Sequence, residues 1–276
     1  MAGMALAALV SGESLDCRRL FLAGGASLCL YGFGLILNDL HDFETDRIYA
    51  SNRPLPRREI SLGLALSVAL LLLLAGLLLA ELLGKAALLT GSVLAVLVMT
   101  YNFGGKQYPL AGSVNMGLCR GASFLLGVNY TWWLALPGVA ALGVTAFIAA
   151  VTAISRHEET EHRHGLGAWV PFWILLAMYL ALLYFTCAAG VPRAQLLPLV
   201  LLPVAGLLLV GGIGRRLARG SVSPDQTRVA VGEFIRALIL IQVPFLCLLP
   251  ATVPFAVALL VGWSLAKYLG KTYSGS

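Results

Sequence analysis

The sequence has few charged residues. Only 12% of its 276 residues are charged, whereas a soluble domain carries about 25%. The hydrophobic share is 59%, and the mean hydropathy is +0.87. This composition excludes an ordinary soluble domain and predicts an all-α polytopic membrane protein in which residues 1–276 form one transmembrane domain. The net charge of +6 does not predict nucleic-acid binding, because the basic residues flank apolar runs.

Cysteine is scarce as well. The five cysteines show no paired spacing, and four of them lie inside apolar runs, so we expect small buried side chains rather than a disulfide framework. Residues 1–11 are apolar but too short to cross a membrane, and they lack the basic start of a signal peptide. We interpret them as the tail of a first helix whose beginning is missing.

Apolar runs fill most of the remaining chain. Each has about the 20 residues that a spanning helix needs. The runs cover residues 18–40, 60–83, 86–103, 111–130, 133–155, 168–189, 195–214, 229–249 and 252–269. We therefore expect about nine transmembrane helices around a central cavity.

The lysines and arginines are divided unevenly between the two sides of the membrane. If the loops alternate sides, thirteen of the 19 basic residues lie on the side that holds residues 41–59, and four lie on the other side. Arg120 and Arg236 lie inside apolar runs. Because cytoplasmic loops carry the excess of basic residues, this division predicts that residues 41–59 are cytoplasmic.

An acidic stretch, Asn-Asp-Leu-His-Asp-Phe-Glu-Thr-Asp at residues 38–46, follows the first long apolar run. Asp39, Asp42 and Asp46 are spaced three and four residues apart, so on a continuous helix they share one face. Carboxylates at this spacing repel each other unless a hard divalent cation lies between them. Magnesium is usually completed by substrate phosphates, so the stretch predicts a magnesium site that takes a phosphate-bearing ligand.

A second acidic stretch at residues 155–165 is expected on the same side of the membrane. It contains Glu158, Glu159 and Glu161, and together with residues 38–46 it holds all four histidines. Two acidic groups around one cavity predict two or more metal ions. Lys106 follows two glycines, and Arg120 lies within an apolar run, where arginine is costly and usually functional. Acids, a metal and these two cations together describe a diphosphate site.

The motif Asn38-Asp39-x-x-Asp42-x-x-x-Asp46 resembles the NDxxDxxxD motif of the UbiA superfamily of intramembrane prenyltransferases. Residues 47–56, Tyr101 and Lys106 also resemble that family, and residues 108–121 resemble its bacterial EboC-like subgroup. The second acidic stretch departs from the family, because it has glutamates where aspartates are usual. By this likeness, residues 1–11 are the end of the first family helix.

The resemblance implies that an isoprenyl group moves from a prenyl diphosphate to a small or lipophilic acceptor, with Mg²⁺ as the cofactor and membrane lipids as surroundings. The residues expected to act in catalysis are Asp39, Asp42, Asp46, Lys106 and Arg120. Those expected to bind substrate are Asn38, Arg53, Tyr101, Asn115, Glu158, Glu159 and Glu161. Those expected to hold the metal are Asp39, Asp42, Asp46, Glu158 and Glu161.

Two other functions fit the same residues. The first is a non-enzymatic binder or transporter of an isoprenoid lipid with the same fold. The second is a di-iron membrane hydroxylase that uses the acids and histidines, although four histidines are few for such a site. Neither the length of the prenyl chain nor the identity of the acceptor can be read from apolar helices.

Overall fold

The computed structural model describes residues 1–49, 54–158, 160–188, 190 and 193–273. Within these residues the chain is helical, as predicted, and the helices are joined by short turns. The helices are α1 (Ala2–Ser11), α2 (Cys17–His41), α3 (Phe43–Tyr49), α4 (Leu62–Leu83), α5 (Lys85–Asn102), α6 (Pro109–Leu125), α7 (Leu136–Ser155), α8 (Val170–Ala188), α9 (Arg193–Leu217), α10 (Pro224–Leu246) and α11 (Val253–Tyr273).

Every predicted apolar run corresponds to a helix in the structure. The helix boundaries differ from the predicted boundaries by a few residues. Seven helices of the described part are long and apolar enough to cross a membrane. The predicted count of nine is not confirmed, because α6 has 17 residues and the apolar part of α11 is short. The chain is therefore an all-α integral membrane protein, as its composition predicted.

Local sequence signals set several helix starts. The hydroxyl of Ser61 accepts a hydrogen bond from the amide of Leu64 at 3.2 Å and so caps α4. Ser223 and Gln226 form a reciprocal capping box at α10. Such caps satisfy amide groups that have no partner inside the helix. They fix where α4 and α10 leave the membrane surface.

Helices α6 and α7 pack against each other through small residues. A Cβ atom at Gly117 or Gly121 would collide with the Thr145 backbone or hydroxyl on α7. Small residues let helix backbones approach closely in a membrane, where van der Waals packing drives association. This contact fixes the rotation of α6, so that Met116, Cys119, Arg120 and Ser123 face a cavity instead.

The main hydrophobic core lies among α7, α8, α9 and α10. Phe147 of α7 meets Phe234 of α10 edge to face, with ring centroids 6.3 Å apart, and both are fully buried. Tyr179 of α8 donates a hydrogen bond to the Ile241 carbonyl at 2.8 Å. This core holds α7 and α10 in place as one wall of the cavity, and α2, α5 and α6 form the opposite wall.

Candidate active site

A central cavity of about 440 Å³ lies between α2, α5, α6, α7 and α10. Its wall is mostly apolar, with polar side chains at two levels. Asn38, Tyr101, Asn102 and Glu158 lie toward the ends of α2, α5 and α7 that share one membrane face. Arg120, Ser27 and Ser123 lie deeper. An apolar cavity with a few placed polar groups is the usual form of a small-molecule site.

Asn38, Asp42 and Lys106 form a group at the cavity opening, called the mouth cluster below. The Lys106 ammonium donates to Asn38 Oδ1 at 3.5 Å and forms an ion pair with the Asp42 carboxylate. Asp42 is the C-terminal cap of α2, where the helix dipole also favours a cation. The structure therefore brings together the first acidic stretch and Lys106, as the sequence predicted.

The turn that carries Lys106 is packed tightly. A Cβ atom at Gly105 would lie 2.8 Å from the Thr100 carbonyl oxygen, so a larger residue would push the turn away from α5. The Arg156 guanidinium holds the turn from the other side, because it donates to the carbonyls of Lys106 at 3.2 Å and Tyr108 at 3.0 Å. This function of Arg156 was not predicted from the sequence, since only the tertiary fold brings the end of α7 to this turn.

Asn102 is a second residue that the sequence analysis missed. Its side chain lines the cavity and is 2% exposed. The amide nitrogen donates to the Val98 carbonyl at 2.9 Å, but Oδ1 has no hydrogen-bond partner within the described residues. A buried acceptor without a partner is costly, so this oxygen is a candidate contact for a ligand.

The three aspartates do not face one cavity, which corrects the prediction of a shared face. Asp42 pairs with Lys106, whereas Asp39 and Asp46 line a second cavity of about 410 Å³ beside α4 and Leu55. Asp39 lies in the last turn of α2, Asp42 caps that helix, and Asp46 lies in α3, so the three residues do not share one helix. Asp42 lies toward Lys106 and the turn after α5. The predicted substrate residue Arg53 lies outside the described residues.

The described residues between Ser155 and Gly165 in the second acidic stretch form no α-helix. Helix α7 ends at Ser155, and the chain then pairs His162 with Val222 as an isolated antiparallel bridge. Glu158 lines the central cavity, but Glu161 is exposed and lies outside both cavities. Glu159 lies outside the described residues. Burial raises the pKa of Glu158, and the nearby Arg228 partly opposes this shift.

The three histidines of this stretch contact each other. The rings of His157 and His162 stack with centroids 3.7 Å apart, and His164 meets both rings edge to face. Burial, followed by the neighbouring His162, lowers the pKa of His157 and of His164. Within the described residues, no group of three or more His, Cys, Asp or Glu side chains is arranged to hold a metal ion. The expectation of two metal ions, and the di-iron alternative, thus gain no support from the geometry.

Arg120 rests on an aromatic ring inside the membrane. Its guanidinium carbon lies 4.9 Å from the centroid of Tyr31 on α2. Such a contact contributes roughly 0.5–2 kcal/mol, whereas an arginine near the bilayer centre costs about 2.5–3.5 kcal/mol or more. The ring alone therefore does not offset the burial of this charge. The predicted role of Arg120 at the diphosphate stays a prediction.

Asn115 was predicted to contact substrate, but it does not line either cavity. Its side-chain amide lies 2.9 Å from the hydroxyl of Thr100 and 3.6 Å from the thiol of Cys119. The residue thus links α5 to α6. Tyr101, in contrast, lines the central cavity, and its contact with substrate stays a prediction.

Comparison with known proteins gives the family. The model of the UbiA prenyltransferase family matches residues 1–229, which is most of the chain. The chain belongs to the UbiA prenyltransferase family. Membership in the UbiA family makes it an intramembrane prenyltransferase, in agreement with the resemblance seen in residues 38–46, and implies a prenyl diphosphate donor and a lipophilic acceptor.

Two similar proteins are archaeal synthases. The chain is 28% identical to digeranylgeranylglyceryl phosphate synthase of Methanoculleus marisnigri over 192 residues, which is 69% of this chain and 68% of that protein. It is 35% identical to the synthase of Pyrococcus abyssi over 119 residues, which is 43% of this chain and 42% of that protein. A solved structure of digeranylgeranylglyceryl phosphate synthase has a TM-score of 0.63 and 17% identity, covering 91% of this chain and 92% of that chain. This structural likeness supports the all-helical membrane fold of the chain.

Proposed function

We propose that this UbiA family member transfers an isoprenyl group from a prenyl diphosphate, with magnesium, at the mouth cluster. The observation that carries the proposal is the position of Asn38, Asp42 and Lys106 at the opening of an apolar cavity. The apolar wall is suited to the isoprenyl tail, and the charged opening is suited to the diphosphate. In the reaction, the bond between prenyl C1 and the diphosphate oxygen breaks, and its electron pair leaves with the diphosphate. A new bond forms between C1 and the acceptor, which loses a proton.

The mouth cluster fits a magnesium ion. Asn38 Oδ1 and the Asp42 carboxylate both contact the Lys106 ammonium, so two hard oxygen groups already converge on one positive charge. Asn102 Oδ1 adds a buried acceptor without a partner in the described residues, at the same end of the cavity. Magnesium needs only one or two carboxylates when substrate phosphates complete its shell. When bound, it would neutralise the diphosphate and so make it a better leaving group.

Lys106 and the apolar wall have complementary roles in this proposal. The ammonium binds diphosphate oxygens as a point charge, and Arg156 keeps the turn that carries it in place. The apolar residues around the developing allylic cation, such as Leu30, Leu94 and Val98, exclude water that would otherwise capture it. Glu158 lies on the same wall and supplies a carboxylate near the reacting end.

We further propose that the mouth cluster faces the cytoplasm of a bacterial cell. The uneven division of lysines and arginines supports this orientation. The likeness of residues 108–121 to the EboC-like subgroup supports a bacterial membrane, whereas the named relatives above are archaeal.

The proposal can be tested by pyrophosphate release from a panel of prenyl diphosphates with purified protein and magnesium. We expect release by the unaltered protein and a loss of about tenfold to a thousandfold in Asp42→Asn, the range for one electrostatic group. Asp225→Asn is the matched control, because Asp225 is an exposed acid at the start of α10 that forms an ion pair with Arg228 at 3.0 Å. No release from any prenyl donor, together with tight binding of an isoprenoid lipid, would favour the binder or transporter function instead.

A further inference from the structure

We propose that Arg236, on the outer side of α10, binds the phosphate group of an anionic phospholipid. The site consists of the Arg236 guanidinium, the bare backbone at Gly232 beside it, and the neighbouring ion pair of Glu233 and Arg216. It lies outside the central cavity and does not depend on the proposed function.

Arg236 points away from the cavity. At about 100° per residue, it lies about 100° to 160° around α10 from Val231, Ile235 and Leu238, which are the residues of this helix that line the cavity. Val229 lies seven residues before Arg236, hence on the same side of the helix, and is 56% exposed. Arg236 is therefore on the side of α10 that faces lipid.

The guanidinium of Arg236 turns back toward the start of α10. Arg236 lies twelve residues after Pro224, the first residue of this membrane span, which is about 18 Å along the helix axis. A Cβ atom at Gly232 would lie 3.7 Å from the guanidinium, so the charge lies beside a residue about one turn closer to that start. Long basic side chains in membrane helices extend in this way toward the lipid headgroups.

The acids near Arg236 on α10 already have partners. Glu233, three residues before it, forms an ion pair with Arg216 of α9, and Asp225 forms one with Arg228. Within the described residues, Arg236 itself forms no ion pair. An ionisable residue inside a membrane span indicates a functional site by default, and here a ligand has to supply the missing counter-charge.

The phosphate of a phospholipid fits this site in charge and in position. The two arginines and Glu233 have a net charge of +1, which the single negative charge of a phosphodiester balances. A guanidinium binds phosphate oxygens through two parallel N–H···O bonds, and Gly232 has no side chain to obstruct them. A soluble anion would have to enter an apolar surface, whereas a phospholipid brings its phosphate to this depth while its acyl chains stay in the bilayer.

The test is native mass spectrometry of the purified full chain in detergent with two lipids that have the same acyl chains. Dioleoyl phosphatidylglycerol is anionic, and dioleoyl phosphatidylcholine has no net charge. We expect the unaltered protein to bind phosphatidylglycerol at least about tenfold more tightly, because the pair with Arg236 is charge-assisted and bidentate. Arg236→Met should remove that preference. Arg219→Met is the matched control and should keep it, because Arg219 is an exposed arginine just after α9.

Gly232→Leu tests the geometry of the site without removing a charge. Leucine is favoured in helices, and its side chain would occupy the space beside the Arg236 guanidinium. The preference for phosphatidylglycerol should fall about threefold or more, because the displaced guanidinium loses one of its two parallel bonds.

Equal binding of the two lipids to the unaltered protein overturns the proposal, and this comparison needs no variant that could misfold. Retention of the preference in Arg236→Met also overturns it. An equal loss in Arg219→Met and Arg236→Met would mean that the lipid responds only to net charge, which rejects a site at Arg236. If excess inorganic phosphate displaces phosphatidylglycerol, the site binds free phosphate and the lipid assignment is wrong. Loss of the preference in Arg236→Met with unchanged pyrophosphate release would support a lipid site separate from the mouth cluster.

Discussion

At the scale of single residues, the cavity opening holds one charged group that has an ion-pair partner and one buried amide oxygen that has no hydrogen-bond partner in the described residues. Lys106 is neutralised by Asp42 and also contacts Asn38. Asn102, in contrast, keeps a buried oxygen without a partner in the described part of the chain. Proteins retain such costly groups where function requires them, and their removal then changes stability and activity in different directions.

Asn102→Leu should separate these two effects. We expect the melting temperature of the ligand-free protein in detergent to stay equal or rise, because the substitution removes a buried oxygen that has no partner. Magnesium-dependent binding of a prenyl diphosphate should weaken by about tenfold or more, because the substitution removes an acceptor oxygen proposed to contact the magnesium ion or a water bound to it. A lower melting temperature with unchanged binding would show that Asn102 has only a structural role.

At the scale of elements, the turn between α5 and α6 depends on a residue far away in sequence. Arg156, just after α7, donates to two carbonyls of this turn. Gly112 leaves room for that guanidinium, since a Cβ atom there would lie 2.9 Å from it. The turn thus takes its position from α7, and the position of Lys106 follows.

Arg156→Gln should misplace Lys106 without removing any charge from the mouth cluster. We expect kcat for pyrophosphate release to fall by about tenfold to a hundredfold, because small displacements of a catalytic group are costly. KM should change less. Arg156→Lys should restore part of the rate, because the lysine side chain is longer than that of glutamine and its ammonium group can still donate to these carbonyls.

Arg163→Gln is the matched control for that experiment, because Arg163 is an exposed arginine of the same stretch. It should leave both constants unchanged. An equal loss in Arg163→Gln and Arg156→Gln would mean that the net charge of this loop matters and that the contact with the turn does not.

At the scale of the whole molecule, the orientation in the membrane decides which compartment supplies the substrate. The proposed cytoplasmic mouth requires that the start of α2 and the end of α8 lie on the opposite side. Each of these positions carries a free, exposed cysteine, Cys17 and Cys187. Chemical labelling of these two cysteines can therefore report the orientation of the chain in the membrane.

A membrane-impermeant maleimide should label Cys17 and Cys187 in intact spheroplasts. A cysteine introduced at the exposed Glu161 should be labelled only after the membrane is permeabilised, because that loop is proposed to be cytoplasmic. Cys119, which is buried, is the internal control and should stay unlabelled until the protein is denatured. Labelling of Glu161→Cys in intact spheroplasts would reverse the proposed orientation.

The sequence by itself determined the fold class and indicated the residues of the mouth cluster. Apolar runs of about 20 residues can satisfy their backbone groups in lipid only as helices, so the positions of the helices followed directly. The motif at residues 38–46 and Lys106 indicated the mouth cluster because residue types and spacing carry that signal. The family match and the structural neighbour agree with the predicted fold class.

Only the tertiary structure decided which way the side chains point and which distant residues meet. Asp42, at the end of α2, pairs with Lys106, whereas Asp39 on α2 lines the cavity beside α4. Arg156 reached the Lys106 turn across 50 residues of sequence, and Arg120 came to rest on Tyr31. These contacts depend on how helices rotate and pack, which in a membrane is set by small residues such as Gly117 and leaves little trace in the hydrophobic pattern of any one helix.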